Sequence, residues 1–251
     1  MTDVVSFALD LSTPEGTIDC WVSHPDDGAP HPGVLYYADA FGPRPASLAM
    51  AERIAAEGYT VLLPNVFHRE GRAPVVDLPD FIGPDERPAL FGKLMPLMGT
   101  LSPERVVRDA AAYLDWFAGS PLATDGPVGL TGYCLGAGLA LRTAAAQPGR
   151  VAAVGGFHGG NLAGDGPDSP HRLAKDITAE LFLGHADNDS SMPPEQIAAL
   201  DEALAEAGLT YRAEVFAGAS HGYTQKDTSA YDAEADARHW RELLALFART
   251  L

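Results

Sequence analysis

"VGLTGYCLGAGLALRTAAA" spans Val128 to Ala146 and admits two readings that share one secondary structure. As T-G-x-x-x-G-x-G, the run from Thr131 to Gly138 is a glycine-rich turn of the kind that cradles a dinucleotide pyrophosphate. As G-x-C-x-G, the run from Gly132 to Gly136 is a sharp elbow that presents Cys134 as a nucleophile. Both need a strand, a tight turn and a helix, so the choice depends on what surrounds the stretch.

A pyrophosphate loop belongs after the first strand of a βαβ unit, with an acidic ribose-binding residue about 20 residues further on. Here the loop lies at mid-chain, after several strand-like runs, and no Asp or Glu occurs between Gly132 and Ala163. The Y-x-x-x-K pair of a short-chain dehydrogenase is missing too, because Tyr223 and Lys226 stand at the wrong interval. The dinucleotide reading fails on its neighbours.

Short apolar runs alternate with longer amphipathic ones along the chain, the pattern of a mostly parallel sheet covered by helices. Val4–Leu9 and Gly16–His24 read as an antiparallel pair. Strands follow at 33–42 (with its exit loop), 59–65, 128–131, 151–159, 179–189 (with its loop) and 211–219. Helices are predicted over 45–57, from Ser102 as N-cap, over the elbow to Ala146, over 194–207 and over 231–251. Residues 66–101 break the rhythm with five prolines and no long periodic helix, and read either as a plain insertion or as a lid or pocket wall. With no repeat and no linker, residues 1–251 read as one domain.

The 34 acidic and 17 basic residues give a formal net charge of -17, which excludes nucleic acid and anionic membranes as main partners. The start "MTDVVSFALD" lacks the pattern of a signal peptide and no apolar run is long enough to span a membrane, so a cytoplasmic protein is expected. Two cysteines and eight scattered histidines without an H-x-x-x-H pair offer neither a disulfide framework nor a metal site. No cofactor is expected.

The nucleophile reading gathers support downstream. Gly132 and Gly136 are the small residues an elbow needs two positions before and after Cys134. The turn sets the Leu135 N–H at a helix N-terminus, where it can hold a developing oxyanion and where a negative charge on Cys134 is favoured. The order expected for this chemistry is nucleophile, acid, histidine, each on a loop after a later strand. "HADNDSSMPPEQ" and "AGASHGYT" supply that order: His221 is the histidine, and Asp187 and Asp189 both lie in the acid loop. Asp189 is favoured, since the loop then runs four positions on to Pro193 before the next helix begins, while Asp187 suits an Asx-type turn.

These motifs resemble the dienelactone hydrolases, a branch of the α/β-hydrolase superfamily. "GYCLGAG" is similar to the family's G-Y-C-L-G-G elbow, "DSSMPPEQ" to its D-x-x-x-P acid loop, "AGASHGY" to its histidine loop, and "YADAFG" to the segment that carries an acidic residue before x-F-G. The resemblance implies the α/β-hydrolase fold, helices on both faces of the sheet, and hydrolysis of a small ester or lactone through Cys134, His221 and Asp189. It also implies that the Ala40 N–H is the second oxyanion donor beside Leu135, and that Asp39 neighbours the resting thiol where relatives often carry Glu. Phe41 follows that donor at the substrate edge. Relatives hold a substrate carboxylate with an arginine shortly after the histidine; here Gln225 and Lys226 follow His221, and Arg87 in the insertion is a second candidate anion contact. His68, Phe157 and His158 fall near the expected cleft. A rival reading keeps the fold but makes Cys134 a redox sensor or binding-site thiol, with Cys20 as the one possible partner.

Overall fold

The computed structural model describes residues 2–251, organised around an eight-stranded sheet with strand order β1-β2-β4-β3-β5-β6-β7-β8. The strands are β1 (Val4–Thr13), β2 (Gly16–Pro25), β3 (Gly33–Tyr37), β4 (Thr60–Pro64), β5 (Val128–Tyr133), β6 (Val151–Phe157), β7 (Glu180–Ala186) and β8 (Tyr211–Phe216). β1 and β2 form the expected antiparallel hairpin and β2 meets β4 antiparallel; every pairing from β4 across to β8 is parallel.

Strand alternation builds two cores. Along β3, Val34 and Tyr36 join one buried cluster, while Leu35 and Tyr37 join the other. On the first face lie α1 (Pro45–Ala56) and α6 (Ala233–Thr250), which bury Met50, Ile54, Leu243 and Phe247. On the second lie α3 (Pro103–Gly119), α4 (Leu135–Ala146) and α5 (Pro194–Glu206), through Tyr113, Phe117, Leu141 and Leu204. Burying a side chain of this kind contributes about 1.5–3 kcal/mol, so the two-faced core fixes the register of the sheet. This is the α/β-hydrolase arrangement that the sequence predicts. Among the described residues no helix is long and apolar enough to cross a membrane.

Ser102 caps α3, its hydroxyl accepting from the Arg105 N–H at 3.4 Å. β6 and β8 are shorter than predicted for a local reason. The chain leaves β6 at His158, whose φ is 38°, and leaves β8 before Gly218, whose φ is 78°. The larger correction lies in the insertion, where α2 (Arg87–Met98) forms despite its prolines. Pro88 occupies the first turn, where no N–H partner is needed, and Pro96 stands near the far end, where it removes a single intrahelical bond. The insertion is pinned beyond β8 as well: the Ile82 N–H donates to the Asp227 carbonyl at 2.8 Å and the Ser229 N–H to the Ile82 carbonyl at 3.0 Å.

The elbow between β5 and α4 is the tightest packing near the site. A Cβ on Gly132 would stand 2.2 Å from the Gly136 carbonyl oxygen, and one on Gly136 would stand 2.3 Å from the Tyr37 carbonyl oxygen. Both obstacles are backbone, so no side-chain rotation relieves them. Gly136→Ala is therefore expected to destabilise by about 3 kcal/mol or more, the upper end for overpacking. In a chain of this size that is a fall of roughly 6–12 °C in thermal unfolding followed by circular dichroism. An unchanged melting temperature would show that the elbow tolerates a side chain there.

Candidate active site

Parallel strands present their carboxyl ends along one edge of the sheet, where an open α/β sheet holds its ligands. Cys134 follows β5 with φ 54° and ψ -115°, a strained conformation for a residue with a Cβ, as the N-cap of α4. Its own N–H is held by the Phe157 carbonyl at 3.0 Å, which leaves the half-buried thiol at the mouth of the turn. The Leu135 N–H, first in α4, and the buried Ala40 N–H, in the turn after β3, donate no hydrogen bond within the protein. A buried amide without a partner, as at Ala40, is rare; Leu135 is half-buried, and the two residues line adjoining pockets that meet at Cys134.

The loops after β7 and β8 bring Asp189 and His221 together. His221 Nδ1 lies 2.6 Å from Asp189 Oδ2, and the Asp189 side chain is 3% exposed. The other carboxylate oxygen accepts from the Ser191 N–H at 2.8 Å and from its hydroxyl at 2.6 Å. Burial works against charge on both members of the pair. For His221 the Asp189 carboxylate and the neighbouring Cys134 side chain overcome it and push the imidazole up to about 10. For Asp189 the hydrogen bonds from His221 and Ser191 overcome it and hold the carboxyl below its usual range. Asp187 is engaged elsewhere, accepting from the Gly218 N–H at 2.9 Å and so tying the two loops. Beneath His221 lies the buried ring of His158, 5.4 Å away edge-on, with its Nε2 2.8 Å from the Thr224 hydroxyl. Burial and the nearby His221 keep His158 neutral, well below the ordinary histidine range.

A cavity of about 760 Å³ opens beside Cys134, the size of a small-molecule site. One wall is α4, through Leu135, Gly138, Leu139 and Arg142; the facing wall is α2, through Arg87, Phe91, Met95 and Met98. Both sets recur at helical spacing, so each helix turns one stripe to the cavity. Arg87 reaches the site, its Nη2 donating to the His221 carbonyl at 3.1 Å. Phe41 packs edge-on against Phe91 at 6.0 Å.

Three expectations are corrected by position. Lys226 is exposed and lines a separate cleft against Met50 and Trp240, with its amine 5.9 Å from the Tyr231 ring, so it offers the cavity no charge. His68 does not line the cavity; burial lowers it, and the charged groups that act on it are Asp109, Arg69 and Asp19. The Asp39 carboxylate is committed to a fork of hydrogen bonds from Arg44, at 2.8 and 3.0 Å, rather than to the thiol. Ser191 and Arg44 escape the sequence reading. Ser191 stands two residues after Asp189, a D-x-S spacing that signals an Asx-type turn; Arg44 sits before a helix-starting proline with no local signal at all. Cys20, the only other cysteine, lies in the core on β2, three strand spacings or roughly 14 Å across the sheet from β5. Burial pushes its thiol far up. Among the described residues no group of three or more His, Cys, Asp or Glu side chains is arranged to hold a metal ion.

A model of the dienelactone hydrolase family matches residues 18–251. A carboxymethylenebutenolidase from Rhodococcus opacus is 28% identical over 221 residues, covering 87% of this chain and 81% of its own length. Two solved structures share the fold. A dienelactone hydrolase-like promiscuous phosphotriesterase from metagenomic libraries superposes with a TM-score of 0.82 at 23% identity, over 98% of each chain. A dienelactone hydrolase from Anabaena variabilis gives 0.70 at 21% identity, over 99% of each.

Proposed function

The chain belongs to the dienelactone hydrolase family, and from that premise we propose that it cleaves a carboxylic ester or lactone by nucleophilic attack of Cys134. His221 holds the thiol proton while Sγ bonds to the substrate carbonyl carbon. The oxygen of the tetrahedral intermediate gains the negative charge and receives hydrogen bonds from the Ala40 and Leu135 N–H groups. Collapse breaks the bond to the alkoxide, which leaves with the proton from His221, and Cys134 carries the acyl group as a thioester. His221 then deprotonates a water that attacks this thioester, releasing the carboxylic acid and restoring the thiol. Asp189 orients the imidazole and stabilises its cation throughout.

The observation that carries this reading is the grouping of Cys134, two unpartnered amides and the His221–Asp189 pair at 2.6 Å along two adjoining pockets that share Cys134 and His221. The rival reading, a redox-sensing thiol, lacks a resolving partner because Cys20 is buried in the core. The reading is tested by mixing the protein with p-nitrophenyl acetate and quenching in acid. A burst of p-nitrophenol and a peptide containing Cys134 heavier by one acetyl group are expected. Turnover of the ester that Cys134→Ala keeps at the parental rate would rule out an acyl-enzyme on Cys134.

A further inference from the structure

Arg44 touches none of the reacting atoms in this scheme, yet every donor of its guanidinium is engaged beside them. Its side chain is 5% exposed. Nη1 and Nη2 grip the two Asp39 oxygens at 2.8 and 3.0 Å, and Nη1 also donates to the Gly42 carbonyl at 3.3 Å. On its other edge, Nε and Nη2 reach the two Asp227 oxygens at 2.5 and 3.2 Å, and Nη2 reaches Gln225 Oε1 at 3.0 Å. Burial alone would lower Arg44; Asp39 and Asp227 outweigh it and keep the guanidinium charged.

These partners belong to two different parts of the site. Asp39 Oδ1 also accepts from the Phe41 N–H at 3.0 Å, and the Gly42 N–H closes the turn onto the Asp39 carbonyl at 3.0 Å. Ala40 is held inside that turn, so the aim of its N–H follows the Asp39 carboxylate. Gln225 follows His221 by four residues; its N–H donates to the Gly222 carbonyl at 2.9 Å, and its amide donates to the Thr224 hydroxyl at 2.9 Å. That hydroxyl in turn meets His158, which packs under His221. Asp227 takes the Ile82 N–H from the insertion. A planar fork of five donors can join two carboxylates and an amide at once, which the point charge of a lysine cannot.

We propose that Arg44 is a positioning residue, a buried rivet that fixes the aim of the Ala40 N–H by anchoring its turn to Gln225 and Asp227 in the segment behind His221. The proposal rests on the roles given to Ala40 and His221 above. It makes Asp39 part of the oxyanion turn rather than a group acting on the thiol. Losing the fork frees the turn to shift, so the cost falls on a step that develops an oxyanion and spares one that does not.

The test compares two reactions of the same thiol in the whole chain. Acylation by p-nitrophenyl acetate is followed before steady state, with burst amplitude counting competent sites; alkylation by iodoacetamide, which builds no oxyanion, is followed from about pH 5 to 10. Arg44→Lys is expected to slow acylation per competent site roughly 30- to 100-fold, just under the loss for removing one oxyanion donor outright, with KM within about threefold. Its alkylation rate and pH profile are expected to stay as in the parent. Acylation equal to the parent's, a parallel fall in both reactions, or a shifted alkylation profile would overturn the proposal; the last would mean that released Asp39 acts on the thiol. If Arg44→Lys does not fold, Asp227→Asn decides, because it keeps the Asp39 fork. A roughly 5- to 10-fold slower acylation with unchanged alkylation is expected there, and parent-like acylation overturns the proposal. Ester turnover that survives Cys134→Ala undiminished would instead remove the acyl-enzyme reading beneath it.

Discussion

Replacing Cys134 with alanine is expected to lower kcat/KM for an aryl ester by about 10⁴-fold or more, a loss of at least roughly 5.5 kcal/mol of transition-state stabilisation. The amides of Ala40 and Leu135 and the His221–Asp189 pair remain in the variant, so a residual rate above that of water is expected from binding and oxyanion stabilisation. Folding should be nearly untouched. Alanine keeps the Cβ, so the strain at φ 54° is unchanged, and only a half-buried sulfur is lost. Cys20→Ala is the matching control with the opposite signature. The residue is 1% exposed in the core, so deletion of its sulfur costs stability while per-site turnover stays at the parent level. A Cys134→Ala protein that kept a tenth of parental activity would end the acyl-enzyme reading.

The parts legible in the sequence are those written in local pattern. The two glycines around Cys134 are fixed by contacts within a few residues and with one neighbouring strand, so G-x-C-x-G carries the elbow by itself. Asp189 and His221 are legible because each closes a strand in a fixed chain order, and Asn188 and Gly222, both at positive φ, accompany them. What stays hidden is set by distance in the chain. Arg44 meets Asp227 183 residues away, and nothing beside either residue announces the other. Lys226 shows the converse: one position past Gln225, which is buried against Arg44, is enough to turn it to an exposed cleft. The stripe of Arg87, Phe91, Met95 and Met98 has helical spacing but is masked by Pro88 and Pro96, whose helix-breaking tendency depends on where in the helix they fall.

Asp189→Asn and Asp187→Asn separate the two carboxylates of the acid loop. Asp189→Asn is expected to lower kcat about 10³- to 10⁴-fold, because an amide donor facing Nδ1 favours the wrong tautomer and no longer supports the imidazolium. Ser191, whose hydroxyl lies 3.2 Å from His221 Nδ1, gives the ring a fallback partner and places the loss toward the lower end of that range. Asp187→Asn keeps an oxygen to accept the Gly218 N–H, so a change within about threefold is expected. Stability should respond with a defined pH dependence. The lowered Asp189 contributes stability that is present above its ordinary 3.8 and is lost as pH falls through its folded value. The raised His221 contributes stability that is fully present below 6.5 and is lost as pH rises through about 10. The gap in urea midpoint between the parent and Asp189→Asn should therefore be widest near pH 5–6 and narrow on both sides, most visibly by pH 10. A gap independent of pH across that range would mean that Asp189 and His221 do not stabilise one another's charge.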